Sequence, residues 1–153
     1  MATDAARKMV AGLGAELGIE GLELDEYGYC CLEFPDQTIN LEADDNGLIF
    51  LYAHLGNLPK DDKEEFYGLR LEANYFCQQT GGGTIGIDRN ADVVLLLMQT
   101  HVSALETGDI RAMLENFLNV AVTWSRRVAE YASGSGATPT ANKEAVLPPG
   151  QRV

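Results

Sequence analysis

The spacing of apolar residues predicts one helix and then three strands in the first part of the chain. Between Thr3 and Leu17 apolar positions recur every three or four residues, as on one face of a helix. Apolar and polar residues then alternate over residues 29–34 and 39–43, as in strands with one buried face, and residues 48–55 are nearly all apolar. An Asn-Gly pair before the third segment is typical of a tight hairpin, so we predict an antiparallel meander.

The rest of the chain predicts a second helix, two more strands and a third helix. Residues 60–78 have helical periodicity, a run of three glycines ends that helix, and strands follow at residues 84–88 and 93–98. Apolar residues at helical spacing from Ile110 to Val128 predict a last helix that ends near Tyr131. We therefore predict one α+β domain over residues 1–131. Residues 132–153 are rich in Ser, Gly and Pro, which predicts a disordered tail.

The second helix carries two separate apolar stripes. One is suited to cover the sheet of its own subunit and consists of Phe66, Leu69, Ala73, Phe76 and Cys77. The other lies more than about 100° away around the helix, and a second copy of the chain is the simplest partner for it. Burial of this stripe under the C-terminal helix is the alternative. We therefore predict a homodimer, with an interface formed by Tyr67, Leu71 and Tyr75 and with contributions from Leu95 and Leu97.

Composition and charge narrow the class of partner. The chain has 153 residues, of which 46% are hydrophobic, and a net charge of −12. A surface this acidic lacks the basic stripe that nucleic-acid binding needs, and it attracts basic partners. No apolar run reaches the roughly 20 residues of a membrane span, and residues 1–10 do not resemble a secretory signal. Three cysteines without metal-ligand spacing suit a reducing cytosol.

Motifs that suggest chemistry are incomplete. Gly81, Gly83 and Gly86 match a dinucleotide-binding spacing, but a helix precedes them and a strand follows, the reverse of the required order. The segment around Asp44 resembles part of a calcium loop and lacks the bidentate carboxylate at its last position, so a turn is favoured. The two histidines, His54 and His101, have no nucleophile motif beside them. We predict no enzyme activity, no cofactor and no metal site.

Several segments together resemble the class I type III secretion chaperones, the Tir-chaperone family. The polar turn and apolar strand of residues 46–56, the helix segment of residues 69–76 with its Leu-x-x-Asn-aromatic pattern, and residues 83–88 follow the order found in that family. Trp124 lies near the end of the last helix, as in the family. The resemblance covers about residues 5–131, and the extended tail departs from it.

The resemblance implies a bacterial cytoplasmic homodimer that binds the N-terminal segment of a secreted effector. The effector segment stays extended, places apolar anchors in surface grooves and adds a strand, and no ATP is used. The residues that we expect to contact the effector are Val10, Leu13, Leu17, Phe50 and Tyr52. Two alternatives remain open: these residues are ordinary core, or the chain is a regulatory module of the same fold that sequesters an intracellular protein.

Overall fold

The computed structural model describes residues 1–105 and 107–134. Its elements follow the predicted order: α1 (Asp4–Leu17), β1 (Tyr29–Phe34), β2 (Gln37–Ala43), β3 (Leu48–Asn57), α2 (Lys63–Asn74), β4 (Thr84–Asp88), β5 (Val93–His101) and α3 (Thr107–Ala132). Short 3₁₀ turns, Tyr75–Cys77 and Val102–Ala104, follow α2 and β5. This order confirms the predicted α+β fold.

The five strands form one antiparallel sheet in the order β1-β2-β3-β5-β4. The first three strands are the predicted meander. α3 packs across β2 and β3, and α1 packs beside α3, so the core lies between these helices and one face of the sheet. Its largest fully buried side chains include Leu13, Ile39, Leu51, Leu96 and Phe117.

The second helix is shorter than predicted and ends in a different way. α2 spans Lys63–Asn74, whereas the apolar pattern predicts residues 60–78. The Asn74 side chain bonds the backbone of Ile85 in β4, and the chain then turns sharply at Phe76, which has a φ of 52°. Phe76 is 50% exposed as a result. Its assignment to the core stripe of a continuous helix is therefore wrong.

The ends of the other two helices agree with the predictions. The Thr3 hydroxyl accepts a hydrogen bond from the Ala6 N–H at 3.2 Å, which caps the start of α1. α3 ends at Ala132, one residue beyond the predicted end. The predicted tail lies outside the described residues from residue 135 on. Within residues 1–105 and 107–134, no helix has both the length and the apolar content needed to cross a bilayer.

Candidate partner-binding surface

One face of the sheet lies away from α1 and α3, and we call it the open face. Its central row runs across all five strands and consists of Cys31, Asn40, Tyr52, Leu97 and Thr84. In β2 and β3 the side chains that point to the core are buried, whereas those that point to the open face are half-buried or exposed. Leu97, the apolar member of the row on β5, is 39% exposed. Apolar side chains are thus accessible at the middle of the sheet.

The charges on the open face are all negative. Its charged strand residues are Glu33, Glu42 and Asp88, and no Lys or Arg occupies a strand position of this face. Burial raises the pKa of the Tyr52 hydroxyl, and the neighbouring Glu42 and Cys31 raise it further. Tyr52 is therefore neutral at physiological pH. The open face combines an apolar centre with acidic surroundings, which suits an apolar segment flanked by basic residues.

One edge of the sheet is closed at Gly83 and Ile85, at the start of β4, by other groups of the same chain. Asn74 donates to the Ile85 carbonyl at 3.0 Å and accepts from the Ile85 N–H at 2.8 Å. Thr80 closes the next position, since its hydroxyl donates to the Gly83 carbonyl at 2.6 Å and its carbonyl accepts from the Gly83 N–H at 3.0 Å. An added strand would have to displace these bonds. We call this the closed edge.

The other edge, along β1, is closed only at its start. The Tyr29 N–H donates to the Asp25 carboxylate, and the Tyr29 carbonyl accepts from the Asp25 N–H, both at 2.9 Å. Hydrogen-bonding directions alternate along an antiparallel strand, so the N–H and C=O groups of Cys31 and Glu33 also point away from β2. Among the described residues these groups have no hydrogen-bond partner. We call Cys31–Glu33 the open edge.

A second exposed apolar surface lies along α2 and the turn that follows it. We call it the α2 stripe, and it consists of Tyr67, Leu71, Tyr75 and Phe76. Leu71 is 71% exposed and Tyr75 is 59% exposed. The ring of Phe76 meets that of Tyr75 edge-on, with centroids 4.3 Å apart, and enlarges this surface. Tyr67 is half-buried beside Phe66. Such a group of exposed apolar side chains is a candidate surface for contact with another protein.

The structure divides the residues predicted to bind a partner among three places. Val10 and Leu13 are fully buried in the core, and Leu17 is half-buried, so the first two offer no surface in this conformation. The open face holds Phe50, Tyr52, Leu95 and Leu97. The α2 stripe holds Tyr67, Leu71 and Tyr75. Tyr52 and Leu97 are direct cross-strand neighbours, so the predicted effector and dimer residues meet on the open face.

The turn interpretation of the calcium-like segment is confirmed. The Asp44 carboxylate accepts hydrogen bonds from the N–H groups of Asn46 at 2.9 Å and Leu48 at 2.8 Å, which closes the hairpin. His101 has a similar structural role: one ring nitrogen lies 2.7 Å from the Ser103 hydroxyl and the other 2.8 Å from the Asn46 carbonyl. These polar groups serve the fold at this end of the sheet.

The sequence model of the Tir chaperone protein (CesT) family matches residues 8–125. The chain belongs to this family. A protein of Chlamydia pneumoniae, CPj0713/CpB0740, is 29% identical over 121 residues, which cover 76% of this chain and 91% of that protein. In the helix segment that carries the resemblance, Asn74 holds the end of α2 against the closed edge.

Solved structures of related proteins share the fold at lower identity. The chain is similar to a chain of the ExsC–ExsE complex, with a TM-score of 0.68 and 21% identity over 84% of this chain and 97% of that one. It is also similar to a chain in the structure of the Yersinia pestis type III secretion chaperone SycH with a fragment of YscM2, with a TM-score of 0.62 and 20% identity over 78% and 98% of the two chains. A chain of the ExoT–SpcS complex from Pseudomonas aeruginosa gives a TM-score of 0.62 at 18% identity, over 78% and 96%.

Proposed function

We propose that the chain is a bacterial cytosolic type III secretion chaperone that binds the N-terminal region of one or more effectors in extended form. It acts by binding and not as an enzyme. The observation that carries the proposal is the open edge of β1 beside the apolar centre of the open face. A segment that pairs with this edge extends the sheet, and its alternate side chains then point toward the open face.

The charge of the chain and its family membership also support a role in binding effectors. The chain carries a net charge of −12, and the open face has acidic but no basic strand residues. An unfolded basic segment is therefore attracted before it makes any specific contact. Proteins of the same fold were solved in complexes, and one of them is named a type III secretion chaperone. The family membership of this chain extends that role to it.

The first test concerns the open edge and uses two substitutions of one residue. Cys31→Pro removes an N–H that points away from β2, and proline is tolerated on edge strands, so the fold is retained. The ring also blocks the approach of an added strand. We expect Cys31→Pro to weaken binding of an effector N-terminal segment by about tenfold or more. Cys31→Ala keeps the edge N–H and removes only one thiol from the open face, so it should lower the affinity much less than Cys31→Pro does.

Isothermal titration with the N-terminal segment of a neighbouring gene product measures both variants, and circular dichroism checks their fold. A folded Cys31→Pro variant with wild-type affinity contradicts strand addition at this edge. If Cys31→Pro weakens binding only to an intracellular regulator, and segments of exported proteins do not bind at all, the binding surface is supported but the role in secretion is contradicted.

We further propose that the α2 stripe mediates self-association into a homodimer. Tyr67→Asp combined with Leu71→Asp would place two unpaired carboxylates in an apolar interface, which is costly. We expect monomers or insoluble protein in light scattering coupled to size exclusion. Tyr27→Asp is the matched control, because Tyr27 is an exposed aromatic residue in the turn before β1. If the double variant is still a soluble dimer, the α2 stripe is not the dimer interface.

A further inference from the structure

Two arginines flank the indole ring of Trp124. The Arg70 guanidinium carbon lies 5.3 Å from the ring centroid and that of Arg127 lies 4.7 Å from it. Arg70 also lies over the Phe66 ring at 4.0 Å. Arg70 is only 6% exposed, and its Nε and Nη2 atoms have no hydrogen-bond acceptor among the described residues. Such a group is costly to bury without a counter-charge.

The two positive charges contact aromatic rings but no acidic side chain within the described part of the chain. The pKa of Arg70 is lowered to about 10, mainly by burial; Tyr131 opposes this change, and the charge of Arg127 contributes to it. Neither arginine forms an ion pair with an acidic residue among residues 1–105 and 107–134. An anion near Trp124 would relieve both the repulsion and the burial cost.

A pocket of about 330 Å³ opens beside the same ring, and we call it the Trp124 pocket. It is lined by Gln79, Asn119, Val120, Thr123, Trp124 and Arg127. Two of these lining residues are joined by a hydrogen bond from the Trp124 indole N–H to the Gln79 carbonyl at 2.9 Å. The lining holds one cation and no anion, on a chain with a net charge of −12. Arginine at such a site favours a carboxylate.

The charges favour a second copy of the chain as the source of this carboxylate. An acidic chaperone attracts basic cargo, whereas each copy of this chain brings 23 Asp and Glu residues. Gln79, which lines the pocket, also follows the exposed residues Tyr75 and Phe76 by a few positions, so a short segment of chain joins the pocket to the proposed dimer surface.

Glu72 is an exposed carboxylate beside the α2 stripe and is our candidate for this role. It is exposed on α2 beside Leu71, in the last turn of the helix. A negative charge at this end of a helix interacts unfavourably with the helix dipole, so a cation beside it would be stabilising. Among the described residues its side chain has no cationic partner. We propose that Glu72 of a second copy enters the Trp124 pocket and pairs with Arg127, with Arg70 adding charge from behind the indole. Two-fold symmetry fills both pockets in the dimer. This proposal rests on the self-association proposed above.

Charge reversal tests the pair. Arg127→Glu places a carboxylate in the pocket, so we expect the dimer dissociation constant to rise by about tenfold or more. Arg126→Glu is the matched control, because this neighbouring exposed residue undergoes the same change in charge and does not line the pocket. Glu72→Arg should weaken the dimer as Arg127→Glu does. The combination of Glu72→Arg with Arg127→Glu should restore it, as expected for a direct pair.

Analytical ultracentrifugation over a dilution series, at low and high salt, measures all four variants. Equal dissociation constants for Arg127→Glu and Arg126→Glu overturn the proposal, and so does a double variant that fails to recover. A free-anion site is a further contrary outcome: inorganic phosphate would then raise the melting temperature of wild type but not of Arg127→Glu, while dimerisation stays equal. A wild-type chain that is monomeric at every concentration refutes the self-association itself, which is a distinguishable result.

Discussion

Replacing Asn74 by Ala removes both hydrogen bonds that hold the end of α2 to the closed edge. The Asn74 side chain donates to the Ile85 carbonyl at 3.0 Å and accepts from the Ile85 N–H at 2.8 Å. Each such bond contributes about 1 kcal/mol net, and Ile85 is nearly buried, so its freed backbone groups reach water poorly. We therefore expect Asn74→Ala to lower the free energy of unfolding by about 2 kcal/mol. In a domain of this size that corresponds to a melting temperature lower by roughly 4–8 °C.

Urea unfolding at a fixed protein concentration gives the measurement, with the fluorescence of the single tryptophan, Trp124, as the probe. Asn116→Ala is the matched control, because it removes one hydrogen bond, to the Gly81 carbonyl, at an exposed position. We expect this control to cost about 1 kcal/mol or less. If Asn74→Ala costs no more than Asn116→Ala, the paired bonds do not hold the edge and the reasoning fails. Because the variant also exposes an unpaired strand, it should aggregate at a lower concentration than the control.

Three smaller predictions follow from single residues. Gly56 has a φ of +149°, and an added Cβ would lie 2.7 Å from the Val128 side chain. Gly56→Ala should therefore lower the free energy of unfolding in urea by roughly 1–3 kcal/mol. An unchanged free energy of unfolding would contradict this close approach. Burial, with the charges of Cys31 and Asp25, raises the pKa of Cys30 to about 11. Iodoacetamide at pH 8 should therefore alkylate the exposed Cys31 before the buried Cys30. Peptide mapping that finds Cys30 alkylated first would refute this. Desolvation of Asp44 is outweighed by hydrogen bonds from Leu48, Asn46 and Gly47, which lower the pKa of its carboxyl group. The Asp44 carboxylate therefore stabilises the fold above the ordinary Asp pKa, and this contribution is lost as the pH falls through its pKa in the folded state. Asp44→Asn should therefore lower the urea midpoint at neutral pH and lose this difference in acid, whereas a difference that persists in acid contradicts the assignment.

The order of elements could be predicted from sequence because each element buries one face. In β2 the core positions Ile39 and Leu41 alternate with polar residues, and in α1 the buried Val10 and Leu13 recur at helical spacing. The same pattern could not separate a core position from a partner-binding one. A fully buried residue in the folded chain and a residue buried only in a complex give the same apolar stripe.

The end of α2 could not be predicted, because its cause lies elsewhere in the sequence. Asn74 bonds Ile85, eleven positions away, and neither Gly nor Pro follows directly to signal a break. The apolar pattern therefore extended the helix and put Phe76 in the core, whereas the turn after Asn74 brings Phe76 out beside Tyr75. The open and closed edges escaped prediction for the same reason, since they depend on side chains that reach backbone atoms of another element.

The two edges of the sheet explain how one small domain can bind an unfolded segment without pairing indiscriminately. The closed edge is blocked at Gly83 and Ile85, whereas the open edge offers only the short stretch Cys31–Glu33. Pairing with so few residues gives little affinity by itself, and the exposed Glu33 disfavours apolar association there. In the proposed complex, selectivity would therefore come from cargo side chains that reach the open face, where Tyr52 and Leu97 are neighbours. If the proposed site is right, a cargo segment with suitable apolar spacing will bind more tightly than one that offers only its backbone.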